Sequence, residues 1–260
     1  MEYRQIPPPP DLAPWIECAW SLRGALATPG QMILPDGRLE LIFHFNPPPG
    51  TQPRAMVAGR MMQGLTLQNS QPIHSLGIRL RPGASHSFLP CELLGEVEDL
   101  EGVLGTWAKR TRERLGQSSK NLEQLWPLLR ELRPAKRDEA IQWSVAAMEA
   151  ALGRGPVDAF LPDGLQTRQW QRRFMKSTGF SPKAFARIVR LQSTIALVHS
   201  RGTPDWSALA LEAGFYDQAH LTNEFRAFTG KTPERYFAAA LALEDFYHDA
   251  FFQDGPRDSR

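Results

Sequence analysis

The stretch that most constrains how this chain can fold is GFYDQAHLTNEFRAFTG, from Gly214 to Gly230, followed by Thr232, Pro233, Glu234, Arg235 and Tyr236. A glycine turn feeds a run in which Leu221, Phe225 and Phe228 recur at spacings of four and three, so one face of a helix from Asp217 to Phe228 is buried. The other positions, Gln218, His220, Asn223 and Arg226, carry polar groups of the kinds that read base edges and phosphates. The spacing predicts a helix suited to a DNA groove.

The same order of elements occurs once before. A short apolar piece, Val157 to Leu161, precedes Asp163 and Gly164 and a helix expected from Thr167 to Ser177. Trp170 and Phe174, with Met175 beside them, form its buried face. Its remaining surface holds Arg168, Gln169, Gln171, Arg172, Arg173 and Lys176 with no acid, which favours a polyanion. Ser181 and Pro182 are placed as N-cap and first residue of the next helix, which runs to about His199. At about 1.5 Å per residue that helix is roughly 27 Å long. After Gly202, the residues Trp206, Leu209, Ala210 and Ala213 predict a short helix ahead of Gly214. Two helix-turn-helix units thus stand in tandem. Their connector has about the length that places two reading helices in successive major grooves, roughly 34 Å apart.

Charge follows this division. Residues 1–153 hold 16 Lys and Arg against 16 Asp and Glu, whereas residues 154–237 hold 12 against 7. The neutral part is expected to sense and the basic part to bind nucleic acid. Residues 241–260 form an acidic tail with Glu244, Asp245, Asp249, Asp254 and Asp258 against Arg257 and Arg260.

The first part reads differently. Pro7 to Pro10 suggest an extended arm, and Trp15 to Trp20 a short helix passing into a strand. Met32 to Leu34, the turn-formers Pro35, Asp36 and Gly37, and the alternating Leu39, Leu41, Phe43 and Phe45 form a hairpin signal. Asn46 to Gly50 end it, and Ala55–Ala58, Gly64–Gln68 and Ile73–Leu80 are further strand-like pieces. Beyond Pro82 the period lengthens to three and four, predicting helices around Leu100–Leu115, Leu122–Leu132 and Ile141–Leu152. The expected division is a β-rich sensing or dimerising domain with covering helices over residues 1–135, a linker helix over 136–155 and a DNA-binding domain over 156–240. Trp15, Trp20, Phe43, Phe45 and Arg79 are candidates to line an effector pocket, with ordinary core as the competing reading.

Several classes find no support. Cys18 and Cys91 are too few and too far apart for a zinc cluster or a disulfide framework. His44, His74 and His86 are widely spaced, without a His-x-His pair, so neither a metal nor another cofactor is expected. No Ser/His/Asp arrangement, paired carboxylates or phosphate-cradling glycine loop stands out, and the chain is not expected to be an enzyme. No apolar run reaches the 18 or so residues of a membrane span, and MEYRQIPPPP lacks a signal segment, so a cytoplasmic location is expected.

The residues GFYDQAHLTNEFRAFTGKTPERYF resemble the signature of the AraC/XylS transcription regulators, and GFSPKAFARIVRLQ, Gly179 to Gln192, looks like the family's linker. The likeness covers roughly residues 156–237. PDGRLELIFHF at 35–45 and GIRLRPGA at 77–84 are similar to a β-rich domain found ahead of such domains in one branch of the family. The resemblance implies an α+β protein: a small antiparallel β domain, cupin-like or barrel-like, with covering helices, then an all-α domain of two helix-turn-helix motifs joined by a long helix. It implies double-stranded DNA as partner, with a small-molecule effector, a second copy of the chain and RNA polymerase as further candidates. Carried onto this sequence, Arg168 and Arg172 face bases, flanked by Gln169, Gln171 and Lys176. Ala219 and Asn223 are their counterparts in the second helix, with Gln218, His220 and Arg226 nearer the backbone. The chain departs from the pattern at Phe160–Gln166, where Pro162 must end the first scaffold helix by about Leu161, since proline inside a helix costs roughly 3 kcal/mol. The usual cap is missing there too, with Thr167 as the substitute. The second motif is therefore expected to set docking and the first to supply phosphate attraction. The competing readings are a scaffold that has lost operator specificity and a metal-dependent enzyme in the β domain. A DNA-repair methyltransferase would need a Pro-Cys-His setting, and Pro90-Cys91-Glu92 lacks the histidine.

Overall fold

Alternation along β4 (Leu39–His44) is clean: Leu39, Leu41 and Phe43 are buried on one side, while Glu40, Ile42 and His44 face the other. In the computed structural model, which describes residues 2–24, 31–45, 55–67, 72–90, 94–115, 121–132, 134–202 and 205–240, this strand sits inside an antiparallel sheet. The sheet has the order β1-β2-β7-β4-β5-β8, with β1 Glu2–Ile6, β2 Ile16–Gly24, β5 Ala55–Ala58, β7 Ile73–Leu80 and β8 Val97–Asp99. β3 (Gln31–Ile33) and β6 (Leu65–Leu67) form a separate two-stranded ribbon.

The hairpin signal is corrected by this pairing. Met32–Leu34 does not pair with β4, whose partners are β5 and β7. The Asp36 carboxylate accepts the Arg38 N–H at 2.9 Å, and Gly37 takes φ +76°, turning the chain out of the sheet. Met32 and Leu34 then pack against the C-terminal core. Tertiary burial there outcompetes a local hairpin. β1, which the proline arm concealed, pairs with β2 over Glu2–Ile6, and the expected short helix before Trp20 is a turn in which the Pro9 carbonyl accepts the N–H groups of Leu12 and Ala13.

One face of the sheet, through Ile16, Leu41, Phe43, Val57, Ile78 and Leu80, is covered by α1 (Leu100–Leu115) and α2 (Leu125–Arg130). The Trp107 indole N–H donates to the Leu128 carbonyl at 2.9 Å, tying the two helices together. On the opposite face Trp20 lies over Gly77, where an added Cβ would stand 2.1 Å from the indole. Only glycine lets that ring lie flat on the strand. Cys18 is buried beside it, and burial pushes its thiol up to about 12, so it stays protonated. Cys91, the proline cluster at 46–50 and the acidic tail at 241–260 lie outside the described residues.

The second core gathers seven helices: α3 (Glu139–Ala150), α4 (Thr167–Thr178), α5 (Pro182–Arg201), α6 (Trp206–Glu212), α7 (Gln218–Thr229), α8 (Pro233–Ala240) and a one-turn 3-10 segment, Val157–Phe160. The helix expected as a linker, α3, is a wall of this core: Ile141, Val145 and Met148 are buried with Trp170, Phe174 and Phe185. Its N-cap is Asp138, whose carboxylate accepts the Ile141 N–H.

The two cores meet closely. Gly64 N–H of the ribbon donates to the Phe228 carbonyl at the end of α7 at 2.6 Å. Gln192 of α5 donates to the Pro35 carbonyl at 2.6 Å. A Cβ on Gly37 would lie 2.8 Å from the Phe185 ring. At the same seam six charged side chains cluster: Arg79 pairs with Glu40 at 2.7 Å and Asp36 at 3.6 Å, while Arg38 pairs with Glu17 at 2.6 Å and with Glu149 of α3 at 3.7 Å.

Candidate nucleic-acid interface

α4 starts without a side-chain cap: Gln166 is its N-cap residue and Thr167, expected as a substitute cap, is already helical. Pro162 has the predicted effect, since the element before α4 is the 3-10 turn ending at Phe160 rather than a full helix. A buried relay takes over the lost support. Trp170 Nε1 donates to Ser144 Oγ at 3.1 Å, and Ser144 Oγ donates to the Phe160 carbonyl at 2.7 Å. One serine on α3 thereby ties both parts of the first unit.

With Trp170 and Phe174 buried, Arg168, Gln169, Gln171, Arg172 and Lys176 are all exposed. Arg168, Arg172 and Lys176 follow one another at four-residue spacing along one stripe. Arg173 is different. Its guanidinium forks onto Asp138, Nε to Oδ2 at 2.8 Å and Nη2 to Oδ1 at 2.6 Å, so it is a structural tie rather than a fourth free cation. Burial alone would raise the Asp138 pKa, but the Arg173 hydrogen bond, the Ile141 N–H and the charges of Arg173 and His86 outweigh it and hold the carboxyl below its ordinary range.

α7 is capped fully. The Asp217 carboxylate accepts the His220 N–H at 2.7 Å, and the buried stripe is Leu221, Phe225 and Phe228. Gln218, Ala219, Asn223 and Arg226 are exposed, and Gln218 Oε1 accepts a hydrogen bond from Ser207 of α6 at 2.9 Å. His220 is half-buried with its ring edge-on to Phe215, and its Nδ1 accepts the Tyr216 N–H at 3.3 Å, so it does not stand free on the outer face as the sequence suggested. Tyr216, which the helical period could not flag because it precedes the helix, is 85% exposed beside the cap.

α7 does not simply hang from the far end of α5. Arg187 of α5 pairs with Glu224 at 2.7 Å and lies over the Phe228 ring at 5.1 Å, so α7 folds back along the connector and its length alone does not set the separation of the two units.

The candidate effector residues do not gather. Phe43 is in the core beneath α1, and Trp15 and Phe45 pack against that same core. Trp20 and Arg79 belong to the opposite face, as strand alternation requires. Arg79 is buried in the ion cluster with Glu40. Among the described residues no group of three His, Cys, Asp or Glu is placed to hold a metal, and His44 is occupied with Ser75 at 2.7 Å. No described helix is long and apolar enough to cross a membrane.

A basic reading helix without acids, a second capped helix with a polar outer face, and a shared connector with an apolar core define a tandem helix-turn-helix DNA-binding domain. Residues 164–239 match the family described as a helix-turn-helix domain, and residues 4–98 match a domain of unknown function, DUF6597. The chain thus carries a helix-turn-helix domain of the AraC type in its C-terminal part, behind an N-terminal antiparallel β domain. No curated protein gives a significant match. Among solved structures, the chain is similar to a probable AraC family transcriptional regulator from Rhodopseudomonas palustris, at 29% identity over 40% of this chain and 98% of that one, with a TM-score of 0.35. It is also similar to ToxT from Vibrio cholerae, at 11% identity over 85% and 97% of the two chains and a TM-score of 0.43. The unsaturated fatty acid-bound form of ToxT gives 9% identity over 84% and 92%, with a TM-score of 0.39.

Proposed function

We propose that the chain binds a specific DNA sequence through the outer faces of α4 and α7, and that a small molecule at the N-terminal domain modulates this binding. The observation that carries the reading is the acid-free stripe Arg168, Arg172 and Lys176 on a helix whose other side is fully packed. Arg168 and Arg172 are the base readers, with guanine O6 and N7 as the best partners, and Asn223 is suited to adenine. Gln169, Gln171, Gln218, Ala219 and Arg226 complete the surface, and Tyr216 adds an aromatic contact at its edge. The functional division falls between Leu132 and Asp138, with α3 on the DNA-binding side.

Two features support control from the N-terminal side. The ribbon and the Pro35–Gly37 turn contact α7 and α5 directly, so a shift of the sheet has a mechanical path to both reading units. On the face of the sheet opposite α1 and α2 the Trp20 indole N–H is sealed from solvent without a hydrogen-bond partner. A ligand acceptor there would satisfy it. Homodimerisation and contact with RNA polymerase belong to the same reading.

Selection from random oligonucleotides tests it: the expected product is an asymmetric motif with two half-sites about one helical turn apart. Replacing Arg172 with alanine should relax the preference at one guanine by about 1–3 kcal/mol. Recovery of no motif by the intact protein would favour a scaffold, and an unchanged motif with the variant would remove Arg172 from the interface.

A further inference from the structure

A cleft of about 380 Å³ lies between α5, α7 and the turn after α3, lined by Gly153, Lys183, Arg187, Arg190, His220 and Glu224 among others. Its charges are unbalanced: three cations face one carboxylate, a net of +2. The carboxylate is already committed, because Glu224 is held by Arg187. Arg190 lies over the Phe215 ring at 5.0 Å and donates through Nη1 to the Gly214 carbonyl, while its Nε is sealed from solvent without a partner. Burial pushes the pKa of this guanidinium down, with Glu224 opposing and Arg187 reinforcing the shift. Lys183 is exposed and makes no ion pair among the described residues. His220 contributes a donor of known orientation: its Nδ1 accepts the Tyr216 N–H, so the proton of the neutral ring sits on Nε2. Lys183, Arg190 and His220 therefore bring donors to one cleft whose only carboxylate is spent.

We propose that this cleft binds a phosphate group, held by Lys183 and His220 with Arg190 behind them. His220 and Glu224 stand one residue round the helix from Ala219 and Asn223, so the cleft opens on the flank of the DNA-facing stripe. The phosphate is either one of the DNA backbone beside the groove or that of a small phosphorylated molecule, and the chemistry of the site is the same for both. The backbone arm rests on the DNA-binding reading above; the small-molecule arm does not.

The test uses the full-length protein and the variants Lys183→Gln, Lys183→Arg and His220→Phe, with Lys109→Gln on α1 as a control of equal charge change. In the first arm inorganic phosphate is titrated at constant ionic strength, balanced with chloride, and the thermal midpoint is followed. A saturable rise that Lys183→Gln and His220→Phe abolish, and that Lys183→Arg and Lys109→Gln retain, supports a site for free phosphate. In the second arm the affinity for DNA is measured between 50 and 200 mM salt. A backbone contact predicts that Lys183→Gln makes the log–log slope shallower by about 0.9, a roughly three- to fourfold weaker salt response over that range, with sequence preference unchanged and Lys109→Gln neutral. If the intact protein binds no DNA, the DNA-binding reading fails and the first arm still decides the site. If DNA binds and neither arm responds to Lys183→Gln, the phosphate site is overturned while the DNA-binding reading stands.

Discussion

Ser144→Ala is the sharpest probe of how the first reading helix is held. Ser144 is fully buried, and its hydroxyl both accepts from the Trp170 indole at 3.1 Å and donates to the Phe160 carbonyl at 2.7 Å. Alanine fits the space but orphans one donor and one acceptor in a buried site. At about 1–3 kcal/mol per orphaned buried group, the expected cost for the two is about 2–6 kcal/mol. For a chain of this size about 1 kcal/mol corresponds to roughly 2–4 °C, so the thermal midpoint should fall by at least about 4 °C. Urea unfolding gives the free energy independently through the midpoint at constant slope. A double-mutant cycle sharpens the test. In a Trp170→Phe background the indole N–H is gone, so Ser144→Ala orphans only the Phe160 carbonyl and should cost about half as much. A midpoint within about 1 °C of the parent, or equal costs in both backgrounds, would refute the relay as the support that replaces the missing scaffold helix.

Arg173→Ala should leave sequence preference intact and lower stability, whereas Arg172→Ala should do the reverse; competition binding together with urea melts separates the two. Because the Asp138 carboxyl is held below its ordinary range, its contribution is present above the unfolded carboxylate pKa and is lost as pH falls through the folded value. The stability difference between the parent and Asp138→Asn should accordingly shrink as the solution is acidified below pH of about 4, read from urea midpoints across that window. Gly37→Ala combines a left-handed backbone with a Cβ 2.8 Å from Phe185, and should cost about 1 kcal/mol or more. Limited proteolysis should then separate the two halves of the chain more readily, and an unchanged digestion pattern would deny the Gly37–Phe185 contact a role in joining them.

Much of the C-terminal half was legible because its information is local. The 3-4 spacing of Leu221, Phe225 and Phe228, the Ser181–Pro182 start and the Pro162 stop each act within one or two turns of chain, and the helices form where these signals place them. The sheet was legible only strand by strand. Alternation marked β4, but which strand it pairs with depends on burial of Met32 and Leu34 against a core some 150 residues further on, and no local pattern carries that. The proposed effector wall dispersed for the same reason, since Phe43 and Trp20 are both apolar but sit on opposite faces of one sheet.

The sequence by itself determined that two polar-faced helices would be presented from an apolar core, because amphipathic spacing and glycine punctuation are properties of the chain alone. The tertiary structure decided which cations on them are free. Arg172 and Arg173 are adjacent and identical in chemistry, yet only one stands in solvent, since Asp138, 35 residues away, is brought within hydrogen-bonding reach of the other. Ion pairing and burial depend on distance in space, and the order of residues does not encode that distance locally.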